Sequence, residues 1–526
     1  MQPAFEIKHL KLKSMLSPAL DRTEKIIIAS FALACFLIHI ATNLNGGYGF
    51  FRDELYYIAC SDHLAWGYVD QPPFSLYLLK LSRMLFGDSL TAIRLIPSLS
   101  HAVTIVLTGL IVKEMGGKRF AIFIACLAIF TSLIHIGMSL IYSMNSIDIV
   151  LWSLAVYFIL KIINTGKNSY WIALGIVLGI GLLNKISVLF LGGGIFVGFI
   201  LTNRQWFGTR WPYFAGAIAF ALFLPYIIWN LTHDLAHLEF IHNASAGKYS
   251  GRTRWDFVVE NFLLLNPINA PVWIGGLIAL FFFKPLKPYR LLGWIYVTAF
   301  LILFINRTSK GEYLAPGYTW LFAAAGIIIE QKFTRPSIAW LKYAYPTLMV
   351  ISMAVLLPLV LPILPEEKYI AYAEAIGEKP RSNENKELAE LPQFYADMHG
   401  WKEKAKDVAT VYNTLSDEDR KKCAIVSSNY GRCGAIDFFG KEYGLPKSIG
   451  THNNYWQWGP GDYNGEVLII LGGDYDDHKD DFASVELAGV SKCKYCMPYE
   501  NNVNIFICRG LKVDIKESWK HEKHYD

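Results

Sequence analysis

The sequence predicts an all-α polytopic membrane bundle followed by a small soluble α/β domain. Two observations carry this. Hydrophobic residues make up 53% and charged residues 18% of 526, and the apolar excess lies before residue 364. That is the composition of a multispanning membrane protein with an appended soluble part. Apolar runs also recur at span length along the first part, separated by polar, Gly-rich or Pro-rich breaks. The expected division is 1–363 for the membrane part and 364–526 for the soluble part.

In chain order, the apolar runs fall near 25–44, 89–112, 120–138, 146–163, 170–183, 186–201, 211–230, 260–283, 291–305, 314–330 and 337–363. This amounts to about 11 spans, given the roughly 20 residues each needs. The runs 170–183 and 186–201 are short for that role and read either as short spans inside the bundle or as one re-entrant hairpin. The N-terminal stretch is basic, with Lys8, Lys11, Lys13 and Arg22, and the run after it has no small-residue cleavage site. It reads as an uncleaved first span. Placing the N-terminus inside puts Lys113, Lys118, Arg119, Lys284, Lys287 and Arg290 on the cytoplasmic side, and basic residues there outnumber those opposite about twofold. An odd number of spans then places the tail outside. The net charge of +5 is small and dispersed, so no nucleic-acid partner is expected.

From Pro365 the chain turns polar, with a charged run from Glu378 to Glu390. The segment Pro392 to Leu415 reads helical, and 423–426, 467–471 and 503–507 read as strands. Gly472-Gly473-Asp474 reads as a turn. The aromatic run Tyr455 to Pro460 reads as core packing ahead of a sugar-stacking surface. Five cysteines lie in this tail and Cys60 lies in the first outer loop, an arrangement read as a structural disulfide first, free thiols second and a metal site at Cys493 and Cys496 last. His233, His237 and His242 read as solvated loop residues, with zinc the lesser alternative.

Charged and aromatic residues then gather on one face. The first outer loop, 45–88, opens with Arg52-Asp53-Glu54 directly after the first apolar run and continues with Trp66 to Pro73, where Asp70 and Gln71 precede paired prolines. Carboxylates beside a bilayer are costly, which favours a functional role over an accidental acidic pair. Asp148 follows Tyr142 to Ile147 at the outer end of the fourth span. Its alternative role is a helix-start carboxylate favoured by the helix dipole. Lys185 is the sole charge between two apolar runs, and Arg307 and Lys310 lie in a later outer loop. Snorkelling would account for Lys185, but cations on the face that carries carboxylates also suit a phosphate. No Rossmann fingerprint or P-loop is present, which points away from a nucleotide-sugar donor.

These pieces, in this order, resemble the integral-membrane glycosyltransferases of family 39, the group that includes protein O-mannosyltransferases and the lipid A aminoarabinose transferases. The matching segments are Arg52 to Tyr57, Gly67 to Pro73, Met144 to Asp148, Asn184-Lys185 and Ser309 to Tyr313. The resemblance implies a GT-C fold with its active site on the extracytoplasmic face of the cell (inner) membrane. It also implies inverting transfer of a sugar from a polyprenyl-phosphate donor to a hydroxyl or phosphate of an envelope lipid or protein. Carried over, Asp53 is the catalytic carboxylate and Asp148 the second acidic position, with Glu54 beside them. Lys185, Lys310, Arg307 and Arg52 are candidates for the donor phosphate. Asp70, Gln71, Tyr56 and Tyr142 are candidates for substrate contacts. Gln71 stands where the aminoarabinose transferases have a lysine, so a cation near the lipid phosphate must come from elsewhere. No cofactor follows from these residues, and a divalent metal ion is left open. The alternative reading is a multispanning transporter or flippase of a lipid-linked substrate, though the sequence lacks the internal repeat that such a protein would show. Membrane lipids are the remaining expected partner.

Overall fold

The computed structural model describes residues 19–526 except 46, 383 and 385. Lys8, Lys11 and Lys13 fall outside the described residues. Each apolar run coincides with helix, and six helices are long and apolar enough to cross a membrane: Arg22–Leu44, Leu95–Glu114, Met144–Thr165, Trp211–Thr232, Lys284–Ile305 and Pro336–Leu359. Three further apolar helices, Arg119–Phe130, Ser169–Asn184 and Val188–Thr202, are shorter. The run near 260–283 is not straight: Arg254–Leu263 and Pro267–Phe282 meet at 91°. Asn266 turns the chain there with φ of +68°, and Pro267 follows with no N–H to continue the first helix.

Local chemistry explains where the bundle starts and how tightly it packs. The first helix opens with a capping box in which Glu24 N donates to Asp21 and Asp21 N donates to Glu24, both at 2.9 Å. The Glu24 carboxylate also holds Lys113 Nζ at 2.8 Å, tying two helices together. Gly276 lets the helix Ala270–Phe282 lie against Tyr318–Lys332 so closely that a Cβ would stand 2.0 Å from the Leu321 carbonyl oxygen. The stacked Trp152 and Trp320 fill the space between two helices of the core.

The segment 45–88 is itself largely helical, with Arg52–Asp62 and Phe74–Phe86 flanking the segment that contains Pro72 and Pro73. The tail forms a five-stranded sheet of β1 (Cys423–Ser427), β2 (Ser448–Gly450), β3 (Val467–Leu471), β4 (Phe482–Ser491) and β5 (Val503–Leu511) in the order β2-β1-β3-β5-β4. β1 pairs in parallel with β2 and β3, whereas β5 pairs antiparallel with β3 and β4. Three of these strands were predicted. β2 is only three residues and β4 has mixed exposure along its length, so neither carries a strong period-2 signal. The helix expected across 392–415 is split into Gln393–Ala396 and Trp401–Tyr412, because Gly400 takes a left-handed φ of +83°.

The tail packs onto the segment 45–88. Its helix Tyr430–Phe439 lies on Arg52–Asp62, and at Gly434 a Cβ would stand 2.8 Å from the Leu55 backbone. All eight cysteines are free, so the expected disulfide is absent; Cys496 Sγ instead donates to the Cys493 carbonyl. His237 is buried rather than solvated, with Nδ1 3.0 Å from the Val69 carbonyl, and it helps to seat the loop before Pro72.

Candidate active site

The two carboxylates at the start of Arg52–Asp62 point to different places, because neighbouring side chains on a helix do not share a face. Glu54 turns inward and is fully buried against Arg94, whose Nε and Nη2 donate at 2.9 and 2.8 Å. It also accepts from Phe51 N at 2.8 Å and Tyr142 N at 2.7 Å. Its lone pairs are consumed in holding the loop, the helix start and the segment before Met144–Thr165 together.

Asp53 turns outward into a cavity of about 370 Å³. Its Oδ1 accepts from Arg52 Nε at 3.1 Å and from the Tyr430 hydroxyl at 2.9 Å. Asp70, Lys185 and Lys310, from three separate sequence segments, line the same cavity, as do Tyr56 and Pro72. Lys248, Glu312, Glu384 and Asp526 add further charge to its wall, and Ile186, Phe190 and Phe240 supply an apolar side.

Lys248 lies 3.7 Å from Asp526, whereas Lys185 and Lys310 have no carboxylate within ion-pair distance among the described residues. Lys185 Nζ donates to Asn145 Oδ1 at 2.7 Å and lies 5.0 Å from the centre of the Tyr313 ring. Lys310 lies 4.5 Å from the centre of the Tyr249 ring. Burial lowers the Lys310 pKa, but the nearby Glu312 charge and other anionic groups more than offset it, so the ammonium is kept protonated. Burial raises the Glu384 carboxyl, but Arg52, Lys248 and Lys310 outweigh it and hold the group ionised.

Asp70 behaves differently. Burial pushes its pKa up to about 7. Tyr56 stands with its hydroxyl 2.9 Å from Asp70 Oδ1 and 2.8 Å from Asn454 Oδ1, and one phenolic proton cannot serve both oxygens. A proton retained on Asp70 supplies the missing donor. The cavity thus brings the Asp53 carboxylate and the Asp70–Tyr56 pair together with ammonium groups able to bind an anion.

This architecture has relatives. Residues 70–229 match the family model described as dolichyl-phosphate-mannose-protein mannosyltransferase. Lipid A galacturonosyltransferase RgtD of Rhizobium johnstonii is 24% identical over 270 residues, which is 50% of this chain and 56% of that protein. The aligned stretch therefore spans little more than half of that curated relative. ArnT from Cupriavidus metallidurans superposes in its apo state with a TM-score of 0.60 at 12% identity, covering 92% of this chain and 97% of ArnT. Its undecaprenyl phosphate-bound structure gives the same values. The chain thus shares the fold of ArnT, and one segment of it matches the mannosyltransferase family model. The archaeal oligosaccharyltransferase AglB from Archaeoglobus fulgidus, solved with an inhibitory peptide and a dolichol-phosphate, also superposes, with a TM-score of 0.51 at 13% identity over 81% of this chain and 65% of AglB. None of these relatives is named as a transporter, and the transporter reading finds no support in them.

Within the helical bundle, several residues expected at the site stand outside the cavity lining. Arg52 is buried and saturated by Asp53, Glu384 at 3.1 Å and Asp397 at 3.5 Å, which leaves its guanidinium without a face for a donor phosphate. Arg307 is exposed on the loop after Ile305. Tyr142 is fully buried, with its hydroxyl donating to the Ser75 carbonyl. Gln71 is buried against Ser75 Oγ at 3.4 Å. Asp148 is buried beneath the cavity, accepting from Ser187 Oγ at 2.8 Å. Its neighbour Ser187 lines the cavity in its place.

Sequence reasoning missed Lys248, Glu384, Tyr430 and Asp526. Glu384 lies within the charged run from Glu378 to Glu390, where no local pattern sets it apart. Tyr430 sits in a segment read only as belonging to the soluble tail, although Asn429 is a sound helix cap that marks where Tyr430 begins a helix. Nothing local in the sequence says that the tail closes over the first outer loop.

Proposed function

We propose that this chain is an inverting membrane glycosyltransferase that moves a sugar from a polyprenyl-phosphate donor to a hydroxyl or phosphate of an envelope glycolipid or protein. The observation that carries the proposal is the single cavity joining Asp53 to Lys185, Lys248 and Lys310. A glycosyl phosphate is already activated, because cations stabilise the phosphate as it leaves. For a hydroxyl acceptor, the bond from the anomeric carbon to the phosphate oxygen breaks while the acceptor oxygen bonds to that carbon from the opposite side. Asp53 takes the acceptor proton. Lys185 and Lys310 hold the phosphate, and the apolar wall at Ile186, Phe190 and Phe240 accommodates the start of the lipid.

Asp70 and Tyr56 form the neighbouring wall, where a proton shared between them hydrogen-bonds sugar or acceptor hydroxyls. Asp148 acts through Ser187 as a positioning residue. Glu54 and Arg52 are assigned to architecture: one fixes the loop to the bundle, and the other fixes Asp53 to the tail. On this reading 1–363 is the catalytic bundle with its essential loop 45–88, and 364–526 is the cover that completes the site. The N-terminus lies in the cytoplasm and the tail outside, across the cell (inner) membrane.

The test is transfer by the purified full-length chain, supplied with a labelled polyprenyl-phosphate sugar and an envelope lipid extract. Label should appear in a new glycolipid or glycoprotein with inverted anomeric configuration. Retention of configuration, or vectorial movement of the intact donor across vesicles without transfer, overturns the proposal.

A further inference from the structure

Beside the cavity, and reaching its wall through Asp526, lies a cluster with no part in the proposed transfer. Residues 524–526 run beside 451–453, with His524 N donating to the Thr451 carbonyl at 3.0 Å and Asn453 N to the His524 carbonyl at 2.8 Å. This isolated parallel bridge sets His452 and His524 side by side, with ring centres 4.8 Å apart. The Asp526 side chain reaches between them: its Oδ1 lies 2.8 Å from His452 Nε2 and 3.0 Å from His524 Nε2. One ligand atom from each residue falls within 4.8 Å of the other two.

The contacts are close, yet their geometry is not that of a hydrogen-bonded triad. Asp526 Oδ1 is buried and accepts a hydrogen bond from neither ring, so the imidazole N–H directions pass it by. His452 is 7% exposed, and its other nitrogen, Nδ1, has no partner among the described residues. The remaining contact of His452 Nε2 is a long one, 3.3 Å to the Asp526 backbone oxygen. Two imidazole nitrogens and a carboxylate oxygen that crowd together without bonding one another are placed as atoms sharing a central ion would be.

We propose that His452, His524 and Asp526 bind one divalent transition-metal ion of the zinc type beside the catalytic cavity, whose wall Asp526 helps to form. Two nitrogens and one oxygen form a borderline donor set that suits zinc or cobalt, whereas magnesium and calcium prefer all-oxygen shells. Three protein ligands leave a fourth position for water or for a ligand oxygen. Lys248 Nζ lies 3.7 Å from the same Oδ1 and also lines the cavity. A metal ion at the cluster competes with that ammonium for Asp526 and turns it towards the cavity. The ion would therefore both pin residues 524–526 to the tail and raise the positive potential where the donor phosphate is placed.

The experiment uses the full-length chain with an affinity tag free of histidine, purified in detergent, stripped with a chelator and titrated with Co²⁺ and then Zn²⁺. The expected result is one equivalent of Co²⁺ with the visible absorption of a four-coordinate site, displaced by Zn²⁺. His524→Ala alters a half-exposed side chain and should leave the fold intact while weakening binding by at least about 100-fold, since even outer-shell changes cost 10- to 100-fold. His452→Ala should do the same, and His521→Ala, outside the cluster, should bind as wild type does. The inference is overturned if wild type binds no ion, or if both cluster variants bind as tightly as wild type, which would move the ion elsewhere, such as to Cys493 and Cys496. Because the readout is metal occupancy, a failure here is separate from a failure of the transfer reaction.

Discussion

Asp53 and Glu54 are adjacent carboxylates with opposite assigned duties, and exchanging each for its amide separates them. Asp53→Asn keeps the size of the side chain and can still accept from Tyr430, which donates at 2.9 Å, but it cannot take a proton from an acceptor. The Asp53 side chain is 30% exposed, and Arg52 keeps its two other carboxylate partners, so the loss of stability is small, about 0–1 kcal/mol. Turnover should fall by about 10²-fold or more, the contribution expected of a positioned base. Glu54→Gln does the reverse. It removes the countercharge from an Arg94 that is fully buried, where breaking such a pair costs about 3–5 kcal/mol. That variant should unfold at a markedly lower temperature and express poorly, while the molecules that remain folded turn over within a few-fold of wild type. The assays are transfer of a labelled polyprenyl-phosphate sugar per folded molecule and thermal unfolding in detergent. Wild-type turnover by Asp53→Asn, or a stable but inactive Glu54→Gln, would refute the division of roles and hand the base to Glu54.

Lys185→Ala and Lys310→Ala should each weaken binding of a polyprenyl phosphate by about tenfold or more, since a charge-assisted contact contributes roughly 1.5–3 kcal/mol; unchanged affinity in both, measured by scintillation proximity or microscale thermophoresis, would move the phosphate site. Asp70 keeps its proton up to about pH 7 in the folded protein, against an ordinary value of 3.8. The unfolded chain therefore binds fewer protons across that window, and this group's contribution to stability declines as pH rises from about 4 to 7. In Asp70→Asn the melting temperature should decline less steeply over that range than in wild type, and an identical slope would remove Asp70 as the cause. Cysteine labelling at Ser382 and at Lys13 should report opposite sides of the membrane; if both report the cytoplasm, the site lies on the wrong face for a lipid-linked donor delivered outside.

Much of this protein was legible in its residues one segment at a time. The apolar runs mark the helices because burying a backbone in lipid demands that each span satisfy its own hydrogen bonds. The strands at 423–427 and 467–471 announce themselves as short, mostly apolar runs containing Ile and Val. Asp53, Asp70, Lys185 and Lys310 stand out because charge beside a membrane is costly and needs a reason. The bend at Asn266-Pro267 and the break at Gly400 were not anticipated, although Asn, Pro and Gly are residues suited to turns, because the flanking apolar and helical patterns run across them.

The assembly of the site was decided by the tertiary structure. Neighbouring positions in the motif at 52–54 differ in fate because the helical turn sends Glu54 to Arg94 and Asp53 to the cavity, and that assignment requires knowing where Arg94 lies. Arg52 became a structural clasp because Glu384 and Asp397, more than three hundred residues away, fold back onto it. The pairing of His452 with His524 follows from a single parallel bridge between distant backbones, which no periodicity foreshadows. Local sequence carries helix, turn and burial preferences because these arise from each residue's own sterics and solvation. Which charges meet depends on long-range closure of the tail over the first loop, where the energy lies in contacts between segments that share no local pattern.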